Sequence, residues 1–135
     1  MAYIDWVEDY SVSVKPMDDQ HKKLFNLINE YYEGIAQKKN KEALTKIMQG
    51  LLDYTKYHFG DEEKLMLKCG YAGYPEQKAQ HEIFISTIQD YQKRIAEEKL
   101  LLAIEITHFL KDWLVKHIKT KDKEYGPSLN AKGIR

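Results

Sequence analysis

The segment L44-T-K-I-M-Q-G-L-L-D-Y-T-K-Y-H-F-G-D-E-E-K-L-M66 decides the architecture. Leu44, Ile47 and Leu51 recur at the three- and four-residue spacing of one helix face, and the stripe ends on Leu65 or Met66. Between those ends the same face carries Thr55, His58 and Glu62, polar residues where a packed helix wants hydrocarbon. His58 and Glu62 are four apart, so their side chains project within about 40° of one another on a helix of 3.6 residues per turn. That is a usual way to aim two ligands at one ion.

Working outward, the same pattern recurs three times. Leu24, Ile28, Tyr31 and Ile35 form a stripe that reaches His21 when extended backward. Phe84, Ile88, Tyr91 and Ile95 follow His81 by three. Ile106, Leu110, Trp113 and Leu114 lead to His117, four beyond Trp113. The spacing predicts helices over about 19–38, 42–68, 75–98 and 101–123. Asp18 or Asp19 is the expected cap of the first, and Pro75 suits the first turn of the third. Lys38-Lys39-Asn40-Lys41 and Gly70 through Pro75 mark two breaks. Glu97-Glu98-Lys99 is read as a short turn, because one unbroken helix would be implausibly long. Residues 1–16, with Trp6, Val7, Val12 and Val14 out of helical period, read as an extended arm. Gly126-Pro127 is expected to end the last helix and leave a tail over 126–135. Short connections between four amphipathic helices give an all-α, up-down-up-down four-helix bundle in a single domain over 1–135.

Composition narrows the function. The chain has 135 residues, 43% hydrophobic and 31% charged, which suits one packed core. Lys plus Arg is 21 and Asp plus Glu is 21, so no basic excess draws it to nucleic acid or an anionic membrane. The longest apolar run, Leu100–Ile104, is far short of a bilayer span, and the start lacks the pattern of a signal peptide. A cytoplasmic protein is expected. Cys69 is the single cysteine, which excludes an internal disulfide and a thiolate-only metal cage; nothing near it in sequence argues for reactivity.

A lone inward histidine is most simply a hydrogen-bonded core residue. Four in one small core would each need a partner, at about 1–3 kcal/mol for every one left unsatisfied. A shared metal centre satisfies all four together. His117 and Asp122 are five apart, about 140° round an ideal helix, so they converge only through a distorted last turn. Asp122 is therefore either a ligand or a solvated last-turn acid. Imidazoles with carboxylates suit iron, zinc, manganese or copper, in a site of one or two metals.

These segments resemble a known family. Trp6 with Asp19-Gln20-His21-Lys22-Lys23-Leu24-Phe25, His58-Phe59-Gly60-Asp61-Glu62-Glu63, Tyr74-Pro75 before His81, and Trp113-Leu114-Val115-Lys116-His117-Ile118 before Asp122 resemble the hemerythrins, and more closely their single-domain bacterial members. The resemblance covers nearly the whole chain. It implies two iron ions with an oxo or hydroxo bridge, reversibly binding dioxygen for storage, delivery or sensing. By position, His21 and His58 would hold the iron that takes oxygen, His81 and His117 the other, and Glu62 and Asp122 would bridge them. Leu24, Phe59, Trp113, Leu114 and Ile118 would keep bulk water from the oxygen pocket, besides packing the core.

One position departs from the family's pattern. A histidine is expected four before His81, and this chain has Gln77, whose amide oxygen is a weaker and harder donor than imidazole. Gln77 ligates through oxygen, or hydrogen-bonds a water in that place, or the second metal is weakly held. His108 lies half a turn from His117 and is no replacement. A sensor normally signals to a partner domain and this chain shows none, so storage or delivery is favoured; a protein partner is unknown. The alternatives are a di-iron oxidase or peroxidase using the position opened at Gln77, and iron or zinc binding without oxygen chemistry. The absence of a Glu-x-x-His motif in the core stripes argues against an oxygenase.

Overall fold

A computed structural model describes residues 3–95 and 100–135, the side chains of 95 and 100–103 excepted. Helix α1 spans Lys15–Ala36, α2 Lys41–Cys69, α3 Tyr74–Ile95 and α4 Leu100–His117. A π-helical turn, Ile118–Asp122, then leads into α5, Lys123–Ala131. No strand occurs among the described residues. Helix α1 packs on α2, α2 on α3, α3 on α4, and α4 closes back on α1, so the four long helices form a bundle around one core. Leu24, Ile28, Met48, Leu51, Ile88, Ile106, Leu110 and Leu114 fill it, each buried. Along the stripes Leu24, Ile28, Tyr31, Leu51, Phe84, Ile88, Ile106, Leu110 and Leu114 are buried and Ile35, Leu44, Ile47, Tyr91 and Trp113 half-buried; Leu65 is half-buried while Met66 beside it is fully buried.

Local chemistry sets the boundaries. Helix α1 starts at Lys15, four residues before the expected Asp19. Pro16 occupies its first turn, where a missing amide costs nothing, and the residue ahead of the helix is Val14 with no side-chain cap. Asp18 is not the cap. Its carboxylate accepts from the Val12 amide (2.8 Å) and the Ser11 hydroxyl (2.6 Å), tying the arm to the helix it precedes. The arm is not fully extended, since Glu8–Tyr10 form a 3₁₀ turn. Asn40 caps α2 by accepting from the Ala43 amide at 2.8 Å. Gly70, at φ 69°, ends α2 with Tyr71 N–H on the Met66 carbonyl and its own N–H on that of Leu67, a Schellman stop. The turn expected at Glu97-Glu98-Lys99 lies outside the described residues.

Gly126-Pro127 does not end the last helical segment; both lie inside α5. Proline forfeits one backbone hydrogen bond there, while Tyr125 and Leu129 on the inward face are completely buried. Burying one such side chain contributes about 1.5–3 kcal/mol, so packing outweighs the local signal. Gly126 is required by contact. A Cβ there would lie 2.4 Å from the Val12 carbonyl oxygen, and Asn130 donates to the Ser13 carbonyl at 2.9 Å. The N-terminal arm and α5 are thereby held together.

Candidate metal centre

Seven buried polar side chains meet inside the bundle. His21 comes from α1, His58 and Glu62 from α2, Gln77 and His81 from α3, His117 from α4 and Asp122 from the π turn, each no more than 3% exposed. The π turn carries Asp122 inward, so it is buried and not a solvated acid. Its hydrogen bonds run from residue i+5 to residue i, as from the Lys123 amide to the Ile118 carbonyl, which brings a residue five ahead back beneath its predecessor. Asp122 Oδ1 accordingly lies 3.2 Å from His117 Nε2. Thr120 helps the wide turn by donating its hydroxyl to the Lys116 carbonyl at 2.7 Å. Thr55, on the same stripe as His58, stays out of the centre and donates to the Leu51 carbonyl at 2.7 Å.

Each carboxylate divides its oxygens between two halves. Glu62 Oε2 is 3.2 Å from His21 Nε2 and 3.3 Å from His58 Nε2, whereas Oε1 is 3.3 Å from His81 Nε2. Asp122 places Oδ2 3.2 Å from His21 Nε2 and Oδ1 against His117. Donor atoms of His21, His58, Glu62 and Asp122 lie within 4.8 Å of one another, and so do those of His81, His117 and Asp122. Gln77 donates its Nε2–H to Asp122 Oδ1 at 3.0 Å.

Residues outside the four stripes fix the imidazoles. The Nδ1–H of His58 donates to Gln20 Oε1 (2.7 Å), that of His81 to Glu63 Oε2 (2.9 Å) and that of His117 to Gln80 Oε1 (2.8 Å). Gln20 is itself oriented by donating to Asp61 at 2.9 Å. With Nδ1 occupied as donor, Nε2 presents its lone pair inward, the arrangement metal-binding histidines use. Tyr125 donates its buried hydroxyl to Glu62 Oε2 at 2.6 Å. Sequence reasoning missed the roles of Gln20, Asp61, Glu63, Gln80 and Tyr125. The only trace was a repeated Gln-His pair at 20–21 and 80–81, each glutamine serving a histidine on another helix.

The centre fits a cation. Nε2 of His58, His81 and His117 and Oε1 of Glu62 are buried without a hydrogen-bond partner among the described residues. Left so, each would cost on the order of 1–3 kcal/mol, and a metal would satisfy all of them. Electrostatics agree. Burial opposes ionisation of Glu62, but His58, His21 and His81 hold its pKa well below the usual carboxylate value. Asp122 is also lowered, burial and the Glu62 charge being outweighed by His117 and His21. Burial likewise opposes charge on His21, yet Asp122 and Glu62 raise its pKa from 6.5 to about 9. Two buried anions thus draw a proton onto His21 that a cation would displace. Burial, then the charges of Glu62 and Asp122, push Tyr125 well above 10, so it stays a donor.

Ring packing closes the surroundings. Phe59 stacks on His81 with centroids 3.8 Å apart, and Trp113 on His117 at 4.4 Å. Leu24, Leu114 and Ile118 are buried in the adjoining core, and Trp113 is half-buried. His108 is exposed and bonds Tyr3 at 3.0 Å, apart from the centre. No helix among the described residues is long and apolar enough to cross a membrane.

Fold and site together define a four-helix bundle with a buried histidine–carboxylate site able to hold metal. The hemerythrin HHE cation binding domain matches residues 12–129, and the chain belongs to the hemerythrin family. It is 36% identical over 132 residues to a bacteriohemerythrin of Methylococcus capsulatus, covering 97% of this chain and all of that one. A myohemerythrin of Sipunculus nudus is 32% identical, over 89% of this chain and 88% of its own. A wild-type hemerythrin crystal structure superposes with TM-score 0.87 at 36% identity, covering 95% of this chain and 98% of that one.

Proposed function

We propose that this chain is a non-haem di-iron protein that binds dioxygen reversibly, for storage, delivery or sensing. Supporting this are the family and one observation above all: two buried carboxylates each offer one oxygen to either half of a centre in which Nε2 of His58, His81 and His117 lacks a hydrogen-bond partner among the described residues. His21 and His58 would hold one iron, His81 and His117 the other, with Glu62 and Asp122 shared. An iron pair, completed by a solvent-derived bridge, would supply the reversible electron transfer that dioxygen binding needs. Around it, Gln20, Glu63 and Gln80 hold three imidazoles in the ligating tautomer, and Tyr125 steadies Glu62. Leu24, Phe59, Trp113, Leu114 and Ile118 exclude bulk water and so favour release of oxygen over irreversible oxidation.

Anaerobic protein loaded with ferrous iron should develop a charge-transfer absorption band in air and lose it when oxygen is withdrawn. A permanent ferric spectrum, or a fully iron-loaded protein with no band, would contradict the reading.

A further inference from the structure

The two halves of the centre differ in what they offer a metal. In the half nearer α1, donor atoms of four residues, His21, His58, Glu62 and Asp122, are mutually within 4.8 Å; in the other half that set stops at three, His81, His117 and Asp122. Glu62 Oε1 approaches His81 there, at 3.3 Å, without completing the set. Gln77 is a further buried polar group beside this half. Its Nε2–H is spent on Asp122 Oδ1 at 3.0 Å, while its Oε1 is buried without a partner among the described residues. In that pose the free lone pairs it has are those of an amide oxygen, where an imidazole would offer nitrogen. An amide oxygen binds transition metals less strongly than an imidazole.

The second half also lies nearer solvent. An open groove of about 500 Å³ between α2 and α3 is lined by Phe59, Glu63, His81 and Glu82 among others. Glu63, the partner of His81 Nδ1, is 22% exposed there. His21, in the other half, is completely buried.

We infer that the chain takes up its metals in two unequal steps, filling the His21–His58 half first and holding the ion beside His81 and His117 loosely, exchangeable through the α2–α3 groove, with Gln77 as the residue that sets the difference. This rests on the di-metal reading of the centre but not on oxygen chemistry.

Ferrous iron titrated anaerobically into the full chain, with bound ions counted by native mass spectrometry, tests it. At one equivalent the one-iron species should dominate, and the second step should be at least tenfold weaker. Gln77→His should tighten the second step tenfold or more and leave the first unchanged. Gln77→Glu, nearly isosteric and carrying oxygen lone pairs, should tighten the second step in the same direction and covers failure of the histidine variant to fold. Uptake of both ions with equal or cooperative affinity overturns the inference, as does a second step indifferent to both substitutions, or no metal uptake. Unequal steps in a protein that shows no reversible oxygen band would sustain the inference while defeating the oxygen-binding function.

Discussion

Tyr125 and Gln20 show how single side chains outside the ligand set govern the centre. Tyr125→Phe removes the donor to Glu62 Oε2. Hydrogen bonds to charged groups contribute about 1.5–3 kcal/mol, so the metal-free protein should lose stability of that order, read as a lower urea midpoint. An unchanged midpoint would show the bond to be idle. Gln20→Ala frees His58 Nδ1 and should weaken metal binding about 10–100-fold with little change in fold, checked by competition with a chelator. Equal affinity would remove Gln20 from the account. The inward positions of His21, His58, Glu62, His81 and His117 could be read from helical period, because a polar residue in an apolar stripe is conspicuous. Tyr125 and the glutamines could not. Their roles depend on which helix lies alongside, and that is fixed only by tertiary packing.

At the scale of elements, two glycines make opposite predictions. Gly126 lies against the Val12 carbonyl, so Gly126→Ala must push α5 off the N-terminal arm and should cost about 1–3 kcal/mol. Gly50, inside α2, has open space where a Cβ would go, and Gly50→Ala should stabilise by about 0.5–1 kcal/mol. Thermal unfolding of both variants separates a packing glycine from a merely tolerated one; shifts of the same sign would contradict the assignment. The helical elements follow from apolar spacing, but their ends do not. Helix α1 begins at Lys15 because Pro16 needs no cap, and α5 continues through Pro127 because Tyr125 and Leu129 are buried. The π turn was legible only as a conflict. His117 and Asp122 converge only if the helix widens, and it does so at Ile118–Asp122.

For the whole molecule, the buried charges make stability depend on pH and on metal. The pKa of His21 is raised from 6.5 to about 9 in the folded metal-free protein, so its contribution is complete below about pH 6.5 and is lost as pH rises through about 9. Glu62 and Asp122 are lowered, from 4.5 and 3.8, so theirs is present above those values and is lost as pH falls below them. Urea midpoints of metal-free protein should therefore be highest between about pH 4.5 and 6.5 and decline toward pH 9.5. Metal binds neutral imidazole, so ferrous iron or zinc should raise the midpoint and flatten the alkaline decline. An alkaline profile that is flat without metal would contradict the charge balance proposed for the centre.

Anomalous diffraction at the iron edge, from crystals of the iron-loaded chain, tests the central claim most directly. The account predicts one peak among His21, His58, Glu62 and Asp122 and a second, of lower occupancy at limiting iron, beside His81 and His117. Iron bound elsewhere on the protein, with the seven buried side chains contacting only one another, would contradict it.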